Sequence, residues 1–240
     1  MDQDVLRRSF AEFVGTFTLI FIGGGAGIVS GDLVAIGLAN GLAIGIMVTN
    51  LGHISGGHFN PAITLGFVTT RRITLPLAVA YWVAQFLGAI VAAAILRGLF
   101  RHDLFLGSVP HAGSFGDGKG FVVEIILTFL LVWAVWATAV DPRGAFKSIA
   151  GLAIGLTITI DVFMGGPLTG AAMNPARAFG PELIGNSWGE GWIYYLGPAI
   201  GALLASGVYE YLYLRPTEPP VVGTPESGIA EPRPGDTALS

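Results

Sequence analysis

Shifted by 114 positions, this chain falls on itself. Residues 37–66, GLANGLAIGIMVTNLGHISGGHFNPAITLG, align with residues 151–180, GLAIGLTITIDVFMGGPLTGAAMNPARAFG. Gly37-Leu38-Ala39 meets Gly151-Leu152-Ala153, Gly52 meets Gly166, and Asn60-Pro61-Ala62 meets Asn174-Pro175-Ala176. Upstream, Glu12-x-x-x-Thr16-Phe17 has its counterpart in Glu124-x-x-x-Thr128-Phe129. A chain built this way folds as two copies of one unit. The apolar segments at about 10–29, 34–52, 77–97, 121–140, 149–164 and 192–214 divide three to each copy. Most approach the roughly 20 residues needed to cross about 30 Å of hydrocarbon. An odd number of spans per repeat inverts the second copy in the membrane.

Composition agrees with a membrane location. The 240 residues are 52% hydrophobic and 12% charged, where a soluble domain carries about 25% charged residues. Thirty-six glycines suit closely packed spans. The absence of Cys excludes disulfides, thiol catalysis and thiolate metal sites. Basic residues never cluster beyond pairs, so nucleic acid is not an expected partner. Two further apolar stretches, about 59–69 and 173–184, are too short to span, and each has Pro near its start, where Pro suits a first helical turn. They read as re-entrant half-helices, tolerated where protein or a water-filled cavity covers their ends. The inversion brings them in from opposite faces to meet near the midplane.

That meeting point carries the chemistry. Asn60-Pro61-Ala62 and Asn174-Pro175-Ala176 each open a half-helix. Pro needs no amide donor, and Ala is small enough for two helix ends to touch. Asn caps a helix and keeps side-chain donors for the lumen. Two partly positive helix ends aimed at one spot repel cations. They also turn a passing water's oxygen inward, which breaks a proton-conducting file of waters. A lone Asn-Pro is a common turn; two copies in register within a repeat are not a coincidence of turns.

With these residues in view, the chain resembles the aquaporin, or major intrinsic protein, family over residues 10–214. The matches are AEFVGTF, GHISGGHFNPAIT, the VEIILTF box and GPLTGAAMNPARAFGP. The resemblance implies an all-α membrane fold of six spans plus two half-helices in an inverted 3+3 repeat, and homotetramers with one pore per subunit. It implies passive passage of water and small uncharged solutes with ions and protons excluded, and neither catalysis nor a cofactor. It also implies a four-residue selectivity filter, placed by distance from the NPA triplets on Asn40, Val162, Ala171 and Arg177. The water-specific branch has a Phe and a His at the places of Asn40 and Val162, so this filter is expected to be wider. The glycerol-facilitator branch puts Asp after the filter Arg, where this chain has Ala178, and has two filter aromatics that are missing here. The Val, Ala, Arg set looks like that of plant nodulin-26-like channels, which pass glycerol, ammonia or metalloid hydroxides. For Asn40 a second reading stands, a helix-packing amide turned away from the pore. For Arg177 the competing reading is a structural ion pair.

Glu12 and Glu124 are carboxylates in spans. They read as scaffold, accepting hydrogen bonds from amides of the loops that lead to the half-helices. The other reading makes them proton sites of a secondary transporter, which inverted repeats also build; Asp161 belongs to that alternative. Asp161, where the first repeat has Met47, reads equally as a solute contact, a partner to a backbone donor or an intersubunit contact. His53 and His58 lie in the first re-entrant loop and are read as loop-stabilising; no metal-ligand set surrounds them. If the N-terminus is inside, eight Lys and Arg lie on the cytoplasmic side (Arg7, Arg8, Arg71, Arg72, Arg143, Lys147, Arg215, Arg233) against three outside, the asymmetry that sets topology. A short cytosolic N-terminus (1–9), a channel domain (10–214, repeats at about 10–97 and 121–214) and a disordered Pro-rich cytosolic tail (215–240) complete the expected plan, in a plasma or inner cell membrane. The short loops point to a prokaryotic-type member.

Overall fold

The computed structural model describes residues 3–143, 147–189 and 191–215; most of the Pro-rich tail expected from 215 onward lies outside them. Among the described residues every regular element is helical. Helix α1 spans Gln3–Val29, α2 Leu33–Ser55, α4 Leu75–Leu99, α5 Asp117–Val140 and α6 Ala150–Thr169; these five are long and apolar enough to cross a membrane. The short helices α3 (Pro61–Thr69) and α7 (Pro175–Gly185) follow α2 and α6. The last helix, α8 (Ile193–Tyr209), has 17 residues, and a π-helical turn over Glu210–Leu214 adds five.

Local chemistry explains the boundaries. Asp32 caps α2, accepting the Val34 amide at 2.9 Å, and Gly56 ends it in a left-handed conformation, the usual glycine stop. Gly170 ends α6 in the same way. Several boundaries lie beyond the expected spans, two of them by five residues or more. Helix α1 is already helical at Gln3, the first described residue, rather than from near residue 10; Asp4 pairs along this polar extension with Arg8 at 2.7 Å and Arg7 at 3.6 Å, contacts that favour the helix. Helix α6 continues past 164 through Pro167 to Thr169.

The two halves meet most closely between α2 and α6. A methyl carbon added at Gly155 would lie 2.5 Å from the Gly41 carbonyl oxygen, and one at Gly151 2.5 Å from that of Gly45. Only glycine admits such backbone contact. The same device recurs within each half: Gly88 of α4 sits against the Phe13 carbonyl of α1, and Gly201 of α8 against the Ile125 carbonyl of α5. Outside the bundle, α2 presents Leu38, Leu42 and Ile46, and α6 presents Leu152, Leu156 and Ile160, all exposed. Apolar outer faces on spans of this length suit lipid.

Candidate functional site

Mirror-image hydrogen-bond sets hold the loops leading into α3 and α7. Glu12 accepts the Ser55 hydroxyl at 2.6 Å and the amides of His58 at 3.0 Å and Phe59 at 2.5 Å. Glu124 accepts the Thr169 hydroxyl at 2.7 Å and the amides of Ala172 at 2.9 Å and Met173 at 2.7 Å. Tyr81 donates to the Ser55 carbonyl at 2.6 Å and Tyr194 to the Thr169 carbonyl at 2.8 Å. Both carboxylates are wholly buried, and each is surrounded by donors. The one asymmetry is Gln85, whose amide also donates to Glu12, at 2.8 Å.

These bonds force an unusual backbone. Phe59 and Met173 take φ values of +49° and +51°, a left-handed conformation rare for bulky side chains and kept only where the surroundings over-determine it. The turn swings each residue's carbonyl toward the other half. Asn60 Nδ2 donates to the Met173 oxygen at 2.9 Å, and Asn174 Nδ2 donates to the Phe59 oxygen at 2.9 Å. Each Asn also caps its own helix: Asn60 Oδ1 accepts from the Ala62 amide at 2.9 Å, and Asn174 Oδ1 accepts from the Ala176 amide at 3.0 Å. Pro61 and Pro175 occupy the first helical turns. The half-helices therefore meet N-terminus to N-terminus, each crossing bond uses one of the two amide hydrogens of its Asn, and both Asn side chains line the central lumen.

The lumen is a narrow cavity of about 30 Å³ with mainly aliphatic walls, among them Ile44, Ile63, Ile154 and Ile158, interrupted by Asn60, Asn174, His58 and Arg177. Wider spaces lie at both ends, an outer vestibule of about 250 Å³ and an inner mouth of about 720 Å³, named for the topology that the charge count supports. Asn40 and Arg177 line both lumen and vestibule, Val162 lines the vestibule, and Ala171 lines the lumen. Of the four residues placed by spacing, two thus line both spaces and two line one each. Arg177 Nη1 donates to the Ser108 carbonyl at 2.8 Å, which pins the guanidinium in the vestibule wall. Asn40 does two things: it lines the passage, and its Nδ2 donates to the Ile36 carbonyl at 2.9 Å and the Gly23 carbonyl at 3.4 Å.

Asp161 is 2% exposed, its Oδ2 has no hydrogen-bond partner, and it is absent from the walls of lumen and vestibule. A side chain so enclosed by its own subunit is not an intersubunit contact. His58 lines the lumen, with Nδ1 3.0 Å from the Thr64 hydroxyl; His53 lines the inner mouth. Among the described residues no three His, Asp or Glu side chains are grouped to hold a metal ion. Beyond the end of α5, Asp141 accepts from Arg143 Nη2 at 2.7 Å and from the Tyr209 hydroxyl at 3.1 Å. The Arg143 side chain holds that carboxyl well below the usual carboxylate range.

Several participants escaped sequence reasoning. Ser55 and Thr169 are 114 apart and both carry hydroxyls, so the repeat itself held that signal. Tyr81 and Tyr194 are 113 apart, one residue off that register, whereas Ser108 and Gly23 gave no signal, since their partners lie on other elements.

The comparisons with known proteins agree with this geometry. The family model described as "Major intrinsic protein" matches residues 1–209. A probable TIP-type alpha aquaporin of Phaseolus vulgaris is 43% identical over 229 residues, covering 90% of this chain and 89% of its own. Nodulin-26 of Glycine max is 42% identical over 230 residues, covering 92% and 83%. The X-ray structure of the aquaglyceroporin from Plasmodium falciparum superposes with a TM-score of 0.78 at 25% identity, over 87% of this chain and 96% of that one. The two relatives are plant proteins, so the expectation of a prokaryotic type gains no support. An inverted pair of capped half-helices, a lumen between them and relatives of this extent lead to one conclusion: the chain belongs to the major intrinsic protein family of channels.

Proposed function

We propose that this membrane channel for water and small solutes has a relaxed selectivity filter, formed by Asn40, Val162, Ala171 and Arg177, and admits solutes of glycerol or urea size. The observation that carries the reading is the shared wall of lumen and vestibule. Arg177 and Asn40 line both spaces, and Arg177 supplies charge and donors there; Val162, in the vestibule wall, and Ala171, in the lumen wall, supply little bulk. Selectivity in such pores follows from diameter and from the hydrogen-bonding groups at the constriction. The likeness to a solved structure named as an aquaglyceroporin supports a solute range beyond water.

Ion and proton exclusion is assigned to Arg177 and to the two half-helix N-termini. Each end carries about half a positive charge, and the free amide hydrogens of Asn60 and Asn174 orient a water between them. Glu12 and Glu124 are scaffold in this reading, since every group bound to them is a donor. Both termini are placed in the cytoplasm by the Lys and Arg asymmetry, in the cell membrane. Four copies assemble, each with its own pore.

The test is stopped-flow light scattering on proteoliposomes with water, glycerol and urea. The wild type should conduct water and at least one of the two solutes, with flux linear in concentration and independent of ion gradients. Asn40→Phe combined with Val162→His should suppress solute flux while water flux persists. Arg177→Val should raise cation or proton leak. A wild type that conducts water but neither solute refutes the relaxed filter.

A further inference from the structure

The lumen has a second end, and its wall there is a run of rings that finishes in an ion pair. His58 lines the lumen, and Phe67 lines the inner mouth. Their ring centroids are 4.2 Å apart. Phe67 lies against Trp136, centroid to centroid 4.7 Å. Trp136 is fully buried, and its indole Nε1 donates to Glu210 Oε1 at 3.1 Å. Glu210 is gripped at both oxygens by Arg72, through Nε on Oε1 and through Nη2 on Oε2 at 3.1 Å. Arg72 itself lines the inner mouth.

Three features make this more than packing. First, the elements come from distant parts of the chain: α3 and the turn after it, the end of α5, and the end of α8. Second, Trp136 and Glu210 each open a π-helical turn, a rare distortion that often marks functional positions because it re-aims side chains. Third, the wedge has no slack, since a methyl carbon at Gly66 would lie 3.1 Å from the Trp136 ring. His58 faces the lumen, Phe67 faces the inner mouth, and the two rings are in contact, so the pair stands between these two spaces.

We propose that Trp136, clamped by Glu210 and Arg72, is a positioning residue that sets how far the His58–Phe67 pair projects into the passage, and so makes a second, inner constriction that sorts solutes by size. The clamp is a bidentate Arg–carboxylate pair, the geometry that gives most orientation per ion pair. It transmits position through the indole hydrogen bond and then through ring contacts; none of the three residues need touch the solute for the effect. The inference rests on the reading of this lumen as the conduction path.

The experiment measures water and urea permeability per channel in proteoliposomes. Trp136→Phe removes the indole donor and shortens the wedge; Glu210→Ala removes the acceptor and the ion pair. Both should raise the urea-to-water ratio several-fold. Glu210→Gln keeps an oxygen for the indole N–H and should bring the ratio back toward wild type. Phe67→Leu shortens the pair without touching the clamp and should reproduce the rise, which keeps the test open if the clamp variants fold poorly. Normally folded variants with a wild-type ratio overturn the proposal, as does a fall in both fluxes with the ratio unchanged, the mark of a merely structural role. A wild type that passes neither water nor urea instead defeats the channel assignment on which the inference rests.

Discussion

Glu12 and Glu124 show how a single residue type can be indispensable without any part in transport chemistry. Each carboxylate gathers two consecutive loop amides and one hydroxyl. Each thereby supports the left-handed residue that turns its carbonyl to the opposite Asn. Replacing either with Gln puts an NH₂ against at least one backbone amide, a group that only donates. Mispaired buried donors cost about 1–3 kcal/mol, so Glu124→Gln and Glu12→Gln should each lower thermal stability by that order and reduce flux together with folded yield. A variant that keeps its melting temperature but loses uptake driven by a pH gradient would make these residues proton carriers.

At the scale of elements, the half-helices are placed by what holds the spans apart or lets them touch. Helices α2 and α6 approach until glycine faces carbonyl. Gly155→Ala inserts a methyl 2.5 Å from the Gly41 oxygen, and overpacking of this kind typically costs about 1–3 kcal/mol. Gly207 in α8 faces open space, so Gly207→Ala should leave stability unchanged or raise it by up to about 1 kcal/mol, because glycine is the poorer helix former. Thermal melts of the two variants in the same detergent check the contrast. Equal effects would mean that the α2–α6 contact relaxes without strain.

For the whole molecule, the exposed apolar faces of the spans are covered by lipid or by further copies. In mild detergent the assembly should have about four times the 25.0 kDa of one chain, measured by light scattering corrected for detergent. A stable conducting monomer would overturn the tetramer. Each subunit should retain its own pore in either case, because lumen, vestibule and inner mouth are all lined from within one chain.

The sequence by itself determined the architecture. Hydrophobic runs of membrane length, a repeat with an odd number of spans and a Pro-started short helix in each half leave few ways to fold, because in hydrocarbon every backbone polar group must be satisfied within the protein. It also marked Asn60, Asn174 and Arg177, since polar groups at membrane depth are too costly to be incidental. Only the tertiary structure decided how these groups face one another. The crossing of each Asn amide to the other half's carbonyl, the two roles of Asn40, the enclosure of Asp161 and the chain of rings from Glu210 to His58 all join residues far apart in sequence. Spacing along a helix tells which side chains share a face, but which faces meet is set by packing between elements, and one sequence carries no direct record of that.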